Sequence, residues 1–187
     1  MTHALILIDF INDIVAEGGK LAGEGYTEQI ASRGVVQAVS KLREQAATED
    51  WLVAHVRVAF SPSYVEHPAD SPLMGAARTY GALMDGEWGT AFDSRFAPGP
   101  NEIIVTKRRV SPFCGTDLDL ILRTHGVTHL HGAGVATDLA MQSFVREAHD
   151  RDYQVHLHAD ACAAASLSLH EASLTTLGKL CDIRTGA

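Results

Sequence analysis

The sequence predicts an α/β fold in which helices cover a mainly parallel sheet of five or six strands. Short apolar runs alternate with segments whose apolar residues recur at helical spacing, which is typical of repeated strand–helix units. The first run, His3–Phe10 (HALILIDF), is apolar almost throughout, as expected of a parallel strand covered on both faces. Because the chain has 187 residues, 46% of them hydrophobic, we assign residues 1–187 to a single domain.

The first half of the chain supplies three strands and one long helix. After strand His3–Phe10, a helix is predicted from Thr27 to about Thr48, since apolar residues recur there every three to five positions. Trp51–Val58 and Glu102–Thr106 are apolar runs of strand length and give the second and third strands.

The second half repeats the alternation. The predicted elements, in chain order, are a helix that opens at Thr116–Asp119 and ends at Gly126, strand Val127–Ala133, a helix from about Asp138 to Asp150, strand Gln154–His158, a helix from Ser166 to about Gly178, and a short strand Cys181–Arg184. The opening TDLD resembles a capping box with Asp in place of Glu, and Gly126 and Ser166 are typical helix-terminating and helix-capping residues.

One segment, Ser61–Pro100, has no regular pattern and contains five of the six prolines. A loop of this length in a compact domain is usually a lid or an oligomer contact. Four of its aromatic residues are Tyr64, Tyr80, Trp88 and Phe92. They either wall a pocket or only pack the loop, and the sequence favours neither interpretation.

Charge and composition exclude several classes of partner. The net charge is −8, the acidic residues are spread along the chain, and no basic run occurs, which argues against nucleic acid and anionic membranes. No apolar stretch approaches the length of a membrane span, and residues 1–10 lead into a strand without a signal-peptide pattern, so we expect a cytoplasmic protein. Cys114, Cys162 and Cys181 lack CxxC spacing and are expected to be reduced, structural thiols.

The ends of the predicted strands indicate where chemistry would occur. In open parallel sheets ligands bind beyond the carboxyl ends of the strands. That rule selects Asp9, Lys107 and the turn Gly134–Ala140. A partly desolvated carboxylate has a raised pKa suited to proton transfer, and the first N–H groups of a helix can stabilise an anion. Alternatively, Asp9 only caps a turn and Lys107 pairs with a surface acid.

Three segments carry a resemblance to a known family. LILIDFINDIV (5–15), VTKRRVSPFCGTDLDLIL (105–122) and GAGVATDLAMQSFVREAHDRDYQVHLHADACAA (132–164) resemble the isochorismatase-like hydrolase superfamily, also called cysteine hydrolases, along nearly the whole chain. The resemblance implies a Rossmann-like three-layer sandwich. It also implies an active-site trio in which Asp9 and Lys107 match the family's aspartate and lysine, while Ala140 falls at the position of the cysteine.

The resemblance also indicates a turn geometry and a mechanism. It implies a cis peptide between Val135 and Ala136 that aims N–H groups of the turn, with Thr137, at a substrate oxygen. The isochorismatase branch needs no thiol and hydrolyses a vinyl ether, so Asp9 would donate the proton to a small, carboxylate-bearing substrate. Three alternatives remain open: a cysteine-dependent amidase whose nucleophile is replaced by Ala140, naturally or by engineering, a binding protein without turnover, and a hydrolase for an unrelated substrate.

Four further residues are expected around the substrate. Arg57 and Arg108 are expected to contact an anionic group of the substrate, and Phe113 and Trp88 to line its site. Three pairs of consecutive residues are expected to have local roles. Asn12 and Asp13 either orient Asp9 or make turn hydrogen bonds, Thr137 and Asp138 cap the following helix, and His170 and Glu171 cap the last helix or face solvent.

We expect neither a metal nor a cofactor. His129, His131, His156 and His158 alternate along two strands and would share one face, which permits a ligand cluster. Buried histidines satisfied by backbone carbonyls are the commoner arrangement, and the spacing of His55, His67 and Asp70 does not match the metal-binding pattern of nicotinamidase-like relatives. The expected partner is a small-molecule substrate. The resemblance adds a homo-oligomer, either a dimer or a tetramer.

Overall fold

The computed structural model describes residues 2–186 and contains one six-stranded parallel sheet in the order β3-β2-β1-β4-β5-β6. The strands are β1 Thr2–Ile8, β2 Leu52–Val58, β3 Ile103–Lys107, β4 Val127–Val135, β5 Gln154–Ala163 and β6 Asp182–Arg184. The helices are α1 Asn12–Val15, α2 Tyr26–Ser32, α3 Val35–Thr48, α4 Ala77–Tyr80, α5 Leu118–Thr124, α6 Gln142–His149 and α7 Leu167–Leu177. The predicted α/β class and the six-stranded sheet are confirmed. No helix within residues 2–186 is long and apolar enough to cross a membrane.

Strand β1 lies at the centre of the sheet and divides its side chains between two cores. Leu5 and Leu7 pack against the face that carries α2 and α3, whereas Ile6 and Ile8 pack against the face that carries α5, α6 and α7. All four are at most 1% exposed. This double burial explains why the strand is apolar at every position from Ala4 to Ile8, and it produces the three layers of the sandwich.

The strand order reverses between β1 and β4. The chain builds β2 and β3 on one side of β1 and then returns to place β4, β5 and β6 on the other side. Ile8 pairs in register with Gly134, so the two strands end side by side. A crevice opens beyond the carboxyl ends of strands at such a reversal, and ligands bind there in open α/β sheets.

Two predicted helices begin or continue differently in the structure. The segment from Thr27 to Thr48 is two helices rather than one, because Gly34 adopts a left-handed φ of 67° between α2 and α3. The helix expected from Asp138 opens with a single wide turn, Thr137–Met141, in which the N–H of Met141 donates to Ala136 O, before α6 begins. Strands β4 and β5 also extend further toward the site than predicted.

The long 61–100 segment is ordered by contacts with the residues that follow β1. It contains α4 and two short 3₁₀ turns, and Phe60, Tyr64 and Leu83 belong to a third apolar cluster. The Asp13 carboxylate accepts the Leu83 N–H at 2.7 Å, and Asn12 Nδ2 donates to Trp88 O at 2.8 Å. These two bonds of Asn12 and Asp13 are contacts with distant residues and not the local turn bonds of the second interpretation, and they hold the long segment against the chain that follows β1.

The strand histidines hydrogen-bond one another instead of backbone carbonyls, contrary to expectation. His3 Nδ1 lies 2.9 Å from His131 Nε2, and His131 Nδ1 lies 3.0 Å from His158 Nε2. A further contact of the same kind joins His129 Nδ1 to His156 Nε2 at 3.1 Å. Each contact needs one N–H and one lone pair, so the accepting imidazole in each contact is neutral. Among the described side chains, those of residues 2–23 and 25–186, no cluster of three or more His, Cys, Asp or Glu is arranged to hold a metal ion.

The histidine chains predict a loss of stability in mild acid. Burial and the neighbouring histidines lower the pKa of His131 to about 2. Burial and the Arg184 charge lower the pKa of His158 to about 4. Since the unfolded chain binds protons at an ordinary histidine pKa of 6.5, the stabilisation is complete above that pH and declines as the pH falls from 6.5 toward about 4. Each pH unit in this window costs about 1.4 kcal/mol per buried neutral histidine.

Thermal unfolding across this pH range measures the effect. We expect a flat Tm above pH 6.5 and a progressive fall below it. The variant His149→Gln changes an exposed histidine and should keep the wild-type profile. An unchanged Tm through the same acidic window would contradict the assignment of neutral, hydrogen-bonded imidazoles.

Candidate active site

Asp9 is placed at the crevice by the backbone that follows β1. Its φ of 59° lies in the left-handed region, which aspartate tolerates better than most residues, and its N–H donates to Val56 O at 2.8 Å. The carboxylate Oδ1 accepts the Val58 N–H at 2.9 Å. The chain therefore turns as soon as the strand ends, and the side chain, only 4% exposed, is held beside the end of β2.

Lys107 reaches Asp9 from the end of β3, two strands away. It pairs in register with Val58, and its side chain crosses the end of β2 to place Nζ 2.6 Å from Asp9 Oδ2. A second N–H of the ammonium group donates to Val110 O at 2.7 Å. A lysine spans this distance because its ammonium sits on a flexible four-carbon stem.

Burial and pairing act on the Asp9 carboxyl in opposite directions. Desolvation by burial raises its pKa, while the Lys107 ammonium and the Val58 N–H lower it, and burial is the larger effect. The net pKa lies above the ordinary value of 3.8. A carboxyl group in this condition holds a proton more readily than a surface aspartate, and a cation stands ready to stabilise the carboxylate when the proton leaves.

The turn after β4 forms the opposite wall of the crevice. The Val135–Ala136 peptide is cis, as the family resemblance implied. Ala136 then accepts hydrogen bonds at its carbonyl from Leu139 and Met141, which starts the following helix. Its first residues carry no side-chain cap, so the predicted capping by Thr137 and Asp138 is wrong. Uncapped N–H groups at a helix start are possible partners for an anionic oxygen.

These elements enclose a pocket with a volume of about 350 Å³. Asp9 and Lys107 lie on one side, and Val135, Ala136 and Ala140 on the other. The remaining lining residues are Ile14, Leu21, Tyr26, Val58, Pro72, Leu73, Met74, Ala76, Ala77, Tyr80, Leu83, Val110 and Leu139. Among these described lining residues there is no cysteine, serine, threonine or histidine, so the pocket presents an acid–base pair without an oxygen, sulfur or imidazole nucleophile of those types.

The two arginines expected to bind the substrate lie outside this lining. Arg57 pairs with Asp85 at 2.9 Å and also donates to Thr90 O. Arg108 pairs with Glu66 at 2.5 Å. The hydrogen bonds from Ser61, together with the Arg108 contact, lower the pKa of Glu66 to about 2. Both guanidinium groups are thus held by acids of the 61–100 segment.

The aromatic residues divide between the core and the surface. Phe113 is 5% exposed and packs with Phe144 in the core beneath α6, and Trp88 is 56% exposed, so neither lines the pocket. Tyr80 does line it, whereas the Tyr64 hydroxyl donates to Ala82 O and orders the loop. Both open interpretations of the loop aromatics therefore apply, each to a different residue.

Sequence reasoning missed most of the apolar wall. Ile14 belongs to the motif that follows Asp9, and its apolar side chain directly after Asn12 and Asp13 was a usable signal. The wall residues from the long segment, Pro72 to Tyr80, follow no periodicity that could have identified them. They are placed by contacts with distant residues such as Asp13.

A buried histidine supports the turn from behind. His170 is 1% exposed, its Nδ1 lies 2.8 Å from Thr137 Oγ1, and its Nε2 lies 2.8 Å from Arg33 Nη2. Because Arg33 can only donate, Nε2 accepts and Nδ1 carries the proton toward Thr137. Burial, with the Arg33 charge, lowers the His170 pKa to about 4. The expectation that His170 faces solvent or caps α7 is wrong, and Ser166 caps that helix.

The histidine–threonine contact predicts a measurable cost of substitution. His170→Leu would leave the Thr137 hydroxyl and one Arg33 N–H buried without this partner, at about 1–3 kcal/mol for each unsatisfied group. Urea unfolding should show that loss, while Glu171→Gln, at the exposed neighbouring position, should stay within about 0.5 kcal/mol of wild type. Equal stabilities of the two variants would contradict the assigned network.

None of the three cysteines can replace a missing nucleophile in the pocket. All three are free and none lines it: Cys114 is exposed, and Cys162 is buried in the sheet. Burial raises the pKa of Cys162 to about 12 and that of Cys181 to about 11. Thiols in this condition are poor nucleophiles because little thiolate forms.

Comparison with known proteins gives the family. The family model described as the isochorismatase domain matches residues 3–185. The chain is similar to a ureidoacrylate amidohydrolase of Methylobacterium radiotolerans, at 30% identity over 94% of this chain and 73% of the relative. It is also similar to an uncharacterized isochorismatase family protein, PncA, of Bacillus subtilis, at 29% identity over 94% of this chain and 93% of the relative.

Solved structures agree with the sequence relatives. An isochorismatase family protein from Desulfovibrio vulgaris superposes with a TM-score of 0.86 at 25% identity, covering 97% of this chain and 93% of that one. An isochorismatase-like hydrolase from Alkaliphilus metalliredigens superposes with a TM-score of 0.80 at 27% identity, covering 99% of this chain and 95% of that one. With a family match along almost the whole length and the same fold, this chain belongs to the isochorismatase family of hydrolases.

Proposed function

We propose that this protein hydrolyses a small molecule by proton transfer from Asp9, without a thiol nucleophile, at an isochorismate-type vinyl ether bond. One observation carries the proposal. The Asp9–Lys107 pair faces a pocket whose other described lining residues include no cysteine, serine, threonine or histidine. Hydrolysis of a vinyl ether needs a proton donor and water, and no covalent enzyme intermediate.

The reaction begins with protonation of carbon. The Asp9 carboxyl donates its proton to the terminal vinyl carbon, the double-bond electrons form the new C–H bond, and an oxocarbenium ion results. The carboxylate left on Asp9 is stabilised by the Lys107 ammonium 2.6 Å away. Burial raises the Asp9 pKa, which favours the protonated form that this step consumes.

Water completes the reaction. It adds to the oxocarbenium carbon and gives up a proton, which returns Asp9 to its acid form. The resulting hemiketal collapses to a carbonyl compound and an alcohol. Ala140, which the family resemblance puts at the position of the cysteine, is 2% exposed and lines the pocket. Its methyl group leaves the space of a thiol to the substrate or to water.

The expected carboxylate on the substrate has less support. The cation that lines the pocket is Lys107, and it is engaged by Asp9 and by Val110 O. Arg57 and Arg108 are held by acids outside the lining. The proposal therefore rests on the acid–base chemistry and not on a substrate charge.

Two vinyl ethers test the proposal. Pyruvate release from isochorismate and cyclohexanone release from neutral 1-methoxycyclohexene are followed with wild type, Asp9→Asn and Asp117→Asn. We expect wild type to turn over at least one substrate, with a loss of about 10²–10⁴-fold in Asp9→Asn because the proton donor is removed.

Asp117 is exposed and its side chain makes no capping bond, so Asp117→Asn should match wild type. Undiminished turnover in Asp9→Asn would overturn the mechanism. No turnover of either substrate by wild type would leave the expected reaction without support and favour the binding protein or the amidase.

The relatives favour one second candidate. A ureidoacrylate amidohydrolase and a nicotinamidase of Bacillus subtilis, the latter a solved structure at TM-score 0.75 and 25% identity, are amide-type hydrolases by name. Amide hydrolysis of that kind through an acyl-enzyme needs a nucleophile. In this candidate, Ala140→Cys gains ammonia release from nicotinamide or ureidoacrylate. The same candidate predicts that wild type hydrolyses neither those amides nor either vinyl ether.

A further inference from the structure

We propose that the pocket selects an uncharged, largely hydrocarbon ligand and rejects carboxylates. The inference rests on the proposed function for the reaction that follows, but the binding preference is argued from the pocket walls alone. It replaces the carboxylate-bearing substrate expected from sequence with a neutral alicyclic or aliphatic molecule.

The walls are mostly aliphatic. Six lining side chains are large and apolar: Ile14, Leu21, Leu73, Met74, Leu83 and Leu139. They come from four separate parts of the chain, namely α1, the segment before α2, the long 61–100 segment and the turn before α6. These six side chains stabilise a hydrocarbon group by removing it from water and donate no hydrogen bond to a charged one.

The ammonium group in the lining is already engaged. Among the described lining residues, Asp9 and Lys107 are the acidic and the basic residue, and Lys107 Nζ lies 2.6 Å from Asp9 Oδ2. An entering carboxylate would have to share an ammonium group that already has two acceptors, Asp9 Oδ2 and Val110 O. Burying an anion without its own cation is strongly unfavourable.

Nearby cations are directed elsewhere. Arg57 is paired with Asp85, and Arg108 with Glu66. Arg109 donates to Glu66 O, and Lys20 donates to Gly81 O. Arg78 on α4 is exposed and is not part of the lining, although its neighbours Ala77 and Tyr80 are. The region around the pocket thus has basic residues, but the fold places none of these five in its wall.

A matched pair of probes tests the preference. Cyclohexanecarboxamide and cyclohexanecarboxylate have nearly the same shape and differ in charge near neutral pH. Their dissociation constants are measured by ligand-observed NMR on the full chain. We expect the amide to bind at least about tenfold more tightly, since only the anion loses its hydration without gaining a cation.

A variant at Met74 reverses the charge balance of the wall. Met74 lines the pocket, is half-buried and has an unbranched side chain, so Met74→Lys adds a cation with little change in length. The carboxylate should then bind more tightly than the amide. Met74→Leu is the matched control and should keep the wild-type order. Thermal unfolding of both variants verifies that they are folded.

The outcomes separate this inference from the proposed function. Equal or tighter binding of the carboxylate by wild type, or no binding of either probe, overturns the inference. Faster turnover of isochorismate than of 1-methoxycyclohexene also overturns it, yet that result supports the proposed acid-catalysed reaction. Conversely, a preference for the amide with undiminished turnover in Asp9→Asn supports the pocket selectivity and removes the mechanism.

Discussion

The ion pair between Asp9 and Lys107 is the interaction on which the site depends. It joins the carboxyl ends of β1 and β3 across the end of β2, and Val58 of β2 contributes its N–H to the same carboxylate. Three strands must therefore end in the right register for the pair to form. Removing one partner of a buried pair leaves an uncompensated charge and is costly, so the pair makes strand register and site geometry mutually dependent.

The proposed chemistry follows from the opposing effects of burial and of Lys107 on the pKa of Asp9. Lys107 favours the ionised carboxylate, but burial favours the protonated carboxyl more strongly. In the proposed mechanism, this balance lets Asp9 release a proton into the apolar pocket and recover it there. The apolar walls contribute to this imbalance because they exclude water from the carboxyl group. Ala140 is consistent with it, since a pathway based on protonation needs space for water and not a thiol.

Much of the fold was accessible from the sequence because its causes are local. The continuous apolar run of β1 reflects burial on both faces, and Ser166 and Gly126 mark helix ends through their own conformational preferences. Asp9 and Lys107 were found because the strand-end rule uses strand positions alone. The sequence analysis did not predict the break at Gly34, because the apolar residues on either side of it keep a helical spacing.

The remaining features depend on contacts between distant residues. Whether Arg57 faces the pocket is decided by Asp85, and whether Arg108 does is decided by Glu66, both in a segment without periodicity. The role of His170 depends on Arg33, which is 137 residues away in the chain. The histidine chains form because adjacent strands place these imidazoles side by side, where each bonds the histidine two residues beyond its register partner. Neighbouring imidazoles can satisfy each other as well as carbonyls can.

The pKa of Asp9 tests the central claim most directly. A pH titration of the ¹³C-labelled aspartate carboxyl groups, with Asp9→Asn to assign the signal, measures it in wild type and in Lys107→Met. The account predicts a value above 3.8 in wild type and a further rise in Lys107→Met, because the opposing charge is removed while burial remains. A wild-type value at or below 3.8 would mean that the ion pair outweighs burial, and Asp9 would not be the acid proposed here.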